Sequence, residues 1–228
     1  KELNQRHLPD FKPEEGQGVI TLTTHNRGAD AINMARLDVL PGEAYSLGAD
    51  VSGEFPDHLF PAPKSLILKP GAQVMFLRND ASGEKRYYNG KIGRITALSS
   101  SKICVTCPED DEEIEVEPVA WENIKYSVNE EKNEIQQEII GKFKQFPLKL
   151  AWAITIHKSQ GLTFDRAVID ARSAFAQGQV YVALSRCRSL EGLVLSSPLP
   201  LRGIETEAVV REFVEEARKN RASGDRLS

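Results

Sequence analysis

Cysteine is scarce. Cys104, Cys107 and Cys187 are the only three among 228 residues, too few for a disulfide framework and suited to a reducing compartment. No apolar run approaches the roughly 18–20 residues of a membrane-spanning helix, nothing reads as a signal peptide, and there is no internal repeat. A surplus of positive charge is also missing. Lys plus Arg total 29 against 33 Asp plus Glu, a net charge of −4, which argues against coating a polyanion by bulk charge and leaves room for a local basic track. Apolar residues make up 40%, enough for a sizeable core, so whole-chain disorder is excluded. Cys104 and Cys107 have the CxxC spacing of half a zinc site, but no second ligand pair accompanies them. Val105 and Thr106 favour a strand, in which an offset of three puts the thiols on opposite faces. Ordinary sheet cysteines are expected.

Residues 1–18 are polar and proline-containing and read as an entry linker. Residues 19–24 (VITLTT) form a strand, His25 to Gly28 a turn, and 29–40 a helix with Ile32, Ala35 (beside Met34) and Leu40 at helical spacing. Between 66 and 143 the segments are short and β-like: 73–78, 91–98, 102–107, 113–117, 123–128 and 135–143, separated by turn residues. Evenly spaced short strands predict a small β-barrel. The acidic run Glu109–Glu117, seven carboxylates in nine residues, reads as a solvated hairpin tip. After Pro147 an apolar stretch (148–156), a strand (164–170), a helix (175–188), a strand (193–196) and an amphipathic helix (204–219) follow, the last with Ile204, Ala208, Val209, Phe213, Val214 and Ala217 on one face. The tail 222–228 is expected to fray. The economical architecture is an α/β domain, 19–63 with 148–221, split by a β insertion at 64–147.

Two stretches carry polar chemistry. In Thr155-Ile156-His157-Lys158-Ser159-Gln160-Gly161, donors crowd the place where an apolar strand ends, as an anion or nucleic-acid backbone site requires; a polar turn with a helix cap explains the same residues. In Gly178–Arg188, Val180, Ala183, Leu184 and Cys187 make an apolar stripe with Arg186 and Arg188 at its end. Those cations either complement the helix dipole or present a planar fork to a phosphate. A third stretch, Arg78 to Arg94, holds five cations (Arg78, Lys85, Arg86, Lys91, Arg94) interleaved with Tyr87 and Tyr88, which suits unpaired bases or an ordinary twisted hairpin. Trp121 and Trp152 are expected in the core.

LAWAITIHKSQGLTF resembles motif V, and GQVYVALSRCR motif VI, of superfamily 1 DNA helicases, with the RecD-like and PIF-type branch most similar. VITLTTHNRGADAIN resembles that branch's motif IV, and LKPGAQVMFLRND with YYNGKIGRITAL its inserted barrel. The resemblance spans 19–197 in the family's order. It implies a RecA-like (P-loop NTPase-type) α/β domain with a parallel sheet, interrupted by a small all-β, Src-homology-3-like barrel. It implies that Arg186 is an arginine finger reaching the ATP γ-phosphate, and that Gln160 and Gly161 lie near the nucleotide. By the same resemblance Thr24, His25, Asn26, Thr155, His157, Lys158 and Ser159 face single-stranded DNA. Many relatives carry Glu two residues after the motif V glycine; Thr163 stands here, which puts a carboxylate–ribose contact in doubt.

No stretch fits GxxxxGK[ST]: Gly90-Lys91 and Gly141-Lys142 are followed by Ile92 and Phe143. A Walker B acidic pair is absent as well, and AVIDA (167–171) ends a strand at Asp170. The resemblance therefore implies the C-terminal motor half of an ATP-dependent 5′-to-3′ helicase, inactive alone. ATP with Mg2+ would be shared with a first RecA-like domain of the same parent; the chain begins at Lys1 rather than Met, in keeping with a longer parent. A monomer without membrane contact is implied, cytoplasmic and nucleoid-associated if bacterial. The alternatives are a non-catalytic nucleic-acid-binding module and a peptide-binding module.

Overall fold

Short apolar stretches between turn residues become fourteen described strands and two described α-helices in the computed structural model, which describes residues 2–14, 16–99, 102–108, 110, 112–129, 134–170, 178–199 and 212–213. The strands are β1 (Ile20–Thr23), β2 (Tyr45–Gly48), β3 (Asp50–Gly53), β4 (Ser65–Leu68), β5 (Gln73–Phe76), β6 (Ile92–Leu98) and β7 (Ile103–Thr106). They continue as β8 (Ile114–Val116), β9 (Val119–Asn129), β10 (Glu134–Gln145), β11 (Leu148–Leu150), β12 (Ala153–Thr155), β13 (Ala167–Ile169) and β14 (Leu193–Leu195). The helices are α1 (Asn26–Val39) and α2 (Gln179–Leu184).

The chain divides into two units. The first comprises 1–12, 21–28 and 154–228, the second 13–20 and 29–153. The first is built on the sheet β12-β1-β13-β14, in which β13 and β14 run parallel with Val168 opposite Val194. All three residues of each of these two strands are buried, as expected of a sheet covered on both faces. Residues 3–8, expected within a linker, lie along β14: His7 bridges to Leu195 and the Leu8 N–H donates to the Leu195 carbonyl at 3.0 Å.

The second unit holds the antiparallel sheet β11-β5-β6-β7-β8, the sheet β3-β10-β9 and the pair β2-β4. β4 and β8 bury alternate residues, Leu66 with Leu68 and Ile114 with Val116, the period of a half-buried strand. β5 is buried throughout. Its Val74 and Phe76 join Leu37, Ile95, Ile103, Val105, Phe146 and Leu148 in one core. Cys107 enters that core, whereas Cys104 hydrogen-bonds the Glu113 side chain, so the two thiols do face opposite ways. Three carboxylates of the acidic run have partners: Asp110 pairs with Lys91, Glu113 accepts from the Thr96 hydroxyl, and Glu115 pairs with Lys102 at 2.6 Å.

The inward face of α1 differs from the expected one. Ala29, Asn33 and Leu37 are buried, whereas Met34 and Ala35 are exposed and Ile32 is only half-buried. The reason is Asn33, a polar residue placed inside because its amide donates to the Ala153 carbonyl and accepts from the Ala153 N–H, both at 2.9 Å. Trp121 and Trp152 are half-buried rather than fully in the core. Trp121 lies 5.9 Å from the Phe143 ring with the Arg78 guanidinium over its face, and Trp152 packs against the edge of the main core. The helix expected at 204–219 lies outside the described residues apart from Glu212 and Phe213, which are helical. The tail 222–228 and residues 175–177 of the expected helix 175–188 also lie outside them, and α2 spans only Gln179–Leu184.

Candidate nucleotide and nucleic-acid site

The first unit brings three of the singled-out segments to its sheet. β12 and β1 are neighbours. Their carboxyl ends are joined where the Ile156 N–H donates to the Thr23 carbonyl at 2.8 Å. The Thr23 hydroxyl, itself buried, reaches the carbonyls of His25 (3.1 Å) and Ile154 (3.5 Å). Thr24 and His25 therefore leave the sheet beside His157 and Lys158. The Thr24 hydroxyl lies 2.8 Å from His25 Nδ1, and His25 and Asn26 are exposed at the start of α1.

After β12 the chain makes a tight helical turn, His157–Ser159. The hydroxyl of Thr155 accepts from the Lys158 N–H at 3.3 Å, and that of Ser159 donates to the Ile156 carbonyl at 2.7 Å. Both residues are buried, Ser159 completely. Neither hydroxyl is turned outward to a ligand; they shape the turn that presents the exposed side chains of His157 and Lys158. Gln160, Gly161 and Thr163 are exposed beyond it. Gly161 has φ +78°, a left-handed conformation that a side chain would strain.

Arg186 is half-buried and folded back onto both segments around it. Its Nε donates to the Val182 carbonyl at 3.0 Å, Nη1 to the Leu162 carbonyl at 3.1 Å and Nη2 to the Ser185 hydroxyl at 3.0 Å. A guanidinium has five N–H groups, and among the described residues one on each terminal nitrogen has no further partner and can meet a phosphate. Backbone bonds hold the same arrangement: Phe164 N–H to the Arg186 carbonyl (2.8 Å) and Arg188 N–H to the Phe164 carbonyl (3.0 Å). Arg188 pairs with Asp165 at 2.8 Å. Gly192 makes the crossing possible, because a Cβ there would stand 1.8 Å from the Asp165 carbonyl oxygen. Sequence reasoning missed Leu162, Asp165 and Ser185. The opposite charges of Asp165 and Arg188 were the one readable signal, whereas the carbonyl of Leu162 has none.

The basic stretch of the second unit is mostly committed elsewhere. Tyr87 is buried and stacked on Phe76, ring centroids 4.2 Å apart, and only Tyr88 is exposed, with Lys91 over its ring. Arg86 pairs with Asp80 and Glu84, and Lys91 with Asp110. Burial pushes the Asp80 carboxyl up, but hydrogen bonds from the Ser82 N–H and hydroxyl and from Arg86 outweigh it and hold it down at about 2, against 3.8 for a free one. This folded-state value is depressed, so the stabilisation is complete above pH 3.8 and is lost as the pH falls through about 2. Acid titration of the protein should therefore lose one component of stability in that window, and Asp80→Asn should remove it. An unchanged acid-unfolding profile in that variant would contradict the pairing.

Among the described residues, no group of three or more His, Cys, Asp or Glu is placed to hold a metal ion, and no helix is long and apolar enough to cross a membrane. The fold is a RecA-like α/β arrangement carrying a β-rich second unit. In sequence and fold the chain is similar to part of the Pif1 helicases. It is 33% identical over 222 residues to an ATP-dependent DNA helicase Pif1 from a Psychrobacter species, covering 76% of this chain and 33% of that protein. Unliganded Pif1 from Bacteroides superposes with a TM-score of 0.85 at 38% identity, over 96% of this chain and 49% of that one. The Bacteroides helicase with ADP-AlF3 and single-stranded DNA superposes with a TM-score of 0.72 at 38% identity, again over 96% and 49%. The chain thus spans about a third to a half of these relatives. No family model matches it.

Proposed function

We propose that this chain is the C-terminal motor part of a Pif1-type, RecD-related ATP-dependent DNA helicase. Residues 19–63 and 148–221 are the two stretches of its second RecA-like motor domain, 64–147 the inserted Src-homology-3-like barrel, 1–18 the entry segment, whose residues 3–8 lie along β14, and 222–228 the tail. The observation that carries this reading is the setting of Arg186. Three of its N–H groups are engaged at Val182, Leu162 and Ser185, and among the described residues two are left for an anion beside the exposed Gln160–Gly161 turn. That donor set fits a phosphoryl group.

MgATP, held largely by a first RecA-like domain, supplies the γ-phosphoryl group. Arg186 holds its free N–H pair where charge builds on that group's oxygens, while Gln160 and Gly161 border the nucleotide. Because the guanidinium is fixed in advance by backbone carbonyls, little reorganisation is needed when that charge develops. His25, Asn26, His157 and Lys158 contact the phosphates of single-stranded DNA together with Thr24. Thr155 and Ser159 hold the turn that offers them. Hydrolysis and product release alternate the grip of the two motor domains on the strand, and the motor moves along it 5′ to 3′.

Strand displacement by the intact parent tests the proposal. Duplexes with a 5′ single-stranded tail should open when ATP is added, and those with a 3′ tail should not. Tail-independent opening removes the directionality, and failure on both with ATP removes the helicase reading.

A further inference from the structure

β14 stands at one end of its sheet, and residues 3–8 run along it. Covering a strand edge needs only backbone bonds, and these are present at His7 and Leu8. Arg6 adds something more specific. Its Nε donates to the Leu193 carbonyl at 2.8 Å and its Nη2 to the Glu191 carbonyl at 2.5 Å. A planar fork thus grips two carbonyls across the turn that enters β14. Asn4 reinforces the segment by accepting the Leu199 N–H at 3.0 Å.

That turn is the continuation of the Arg186 segment. From Arg188, fastened to Phe164 and Asp165, the chain passes through Ser189, whose hydroxyl accepts the Gly192 N–H at 3.3 Å. The Gly192 carbonyl accepts the Ala167 N–H at 2.9 Å. The Glu191 carboxyl is held below its usual range by its own N–H, by the Ser189 hydroxyl and by the nearby Arg6 charge. The segment from Arg186 to Leu193 is therefore anchored on one side by Phe164 and Asp165 and on the other by Arg6. Loss of either anchor frees the turn to shift, and the Arg186 backbone with it.

We propose that Arg6 is a positioning residue for the arginine finger: by clamping the Glu191 and Leu193 carbonyls it fixes the turn that sets where Arg186 delivers its two free N–H groups. This rests on the finger reading of Arg186. Lysine is a poor substitute, because a single ammonium cannot reproduce the two-pronged contact of a guanidinium.

The test compares affinity for ADP with affinity for ADP plus aluminium fluoride, a mimic of the transferring phosphoryl group, in the intact parent with single-stranded DNA present. The ratio of the two affinities does not depend on how much of the sample is folded. Arg6→Gln should leave ADP affinity unchanged and lower the preference for the aluminium fluoride complex about tenfold, the scale of a small misplacement of a reacting group. In an Arg186→Ala background, Arg6→Gln should have no further effect. If Arg6→Gln does not fold, Arg6→Lys is measured in the same way and should give a smaller loss. An unchanged ratio in the Arg6 variant, or an equal loss with and without Arg186, overturns the proposal while leaving the finger intact. An unchanged ratio in Arg186→Ala removes the finger reading and the Arg6 role with it.

Discussion

Arg186→Ala in the intact parent is expected to lower single-strand-stimulated ATP hydrolysis by about 10³-fold or more, the scale of an arginine finger, with single-strand affinity largely kept. The separation of the two effects follows from where the side chain sits. Its guanidinium is held by Val182, Leu162 and Ser185, and the exposed side chains of His157 and Lys158 take no part in holding it. Part of the loss will come from the freed Leu162 carbonyl and a looser 160–163 turn, so KM for ATP should rise modestly while kcat carries most of the effect. Arg186→Lys should remain severely impaired, since a lysine cannot hold Leu162 and still offer a paired donor. Steady-state kinetics and single-strand binding by fluorescence anisotropy check this. Equal loss of ATPase and binding would make Arg186 a structural prop, and full ATPase activity would remove it from the reaction.

The second large effect is on stability. Asn33→Leu keeps the branched shape of the side chain, with some added bulk, but deletes both bonds to Ala153, leaving a buried N–H and a buried carbonyl unpaired. Each unsatisfied group costs about 1–3 kcal/mol, so urea unfolding should show a loss of about 2–6 kcal/mol. Ala153 is the first residue of β12, and Thr155 and the His157–Ser159 turn follow directly. The variant should therefore also weaken single-strand binding. A neutral substitution would mean that the amide pair is replaceable by apolar packing.

Much of this was legible in the residues. Strands β5 to β10 fall where short β-forming segments between turn residues place them, because both signals are local to the chain. The string HKSQG was visible as a polar turn after an apolar strand, and Arg186 stood out at the end of its stripe. The face of α1 was not legible. Periodicity treats asparagine as outward-facing, and only a backbone partner from residue 153, far along the chain, makes burying it favourable. Nor could spacing tell which donors of the 155–161 turn face out. Ser159 and Lys158 are neighbours of similar polarity, yet one is sealed against Ile156 and the other exposed.

The apolar run 148–156 shows the limit most clearly. In sequence it is a single stretch; in the fold it is two strands, β11 pairing with β5 in one sheet and β12 lying beside β1 in another. Both environments accept the same apolar residues, so composition cannot separate them. The sequence alone determined the α/β class, the shortage of bulk positive charge, the β-rich character of residues 66–143 and the two polar motifs, since these depend on local period and residue type. Tertiary structure decided which motif residues touch. Arg186 meets Leu162, Arg188 meets Asp165, and Arg6 reaches Glu191 and Leu193 from the far end of the chain. Contacts to backbone carbonyls leave no mark on the residue that supplies the carbonyl, and it is these contacts that set the arginine's position.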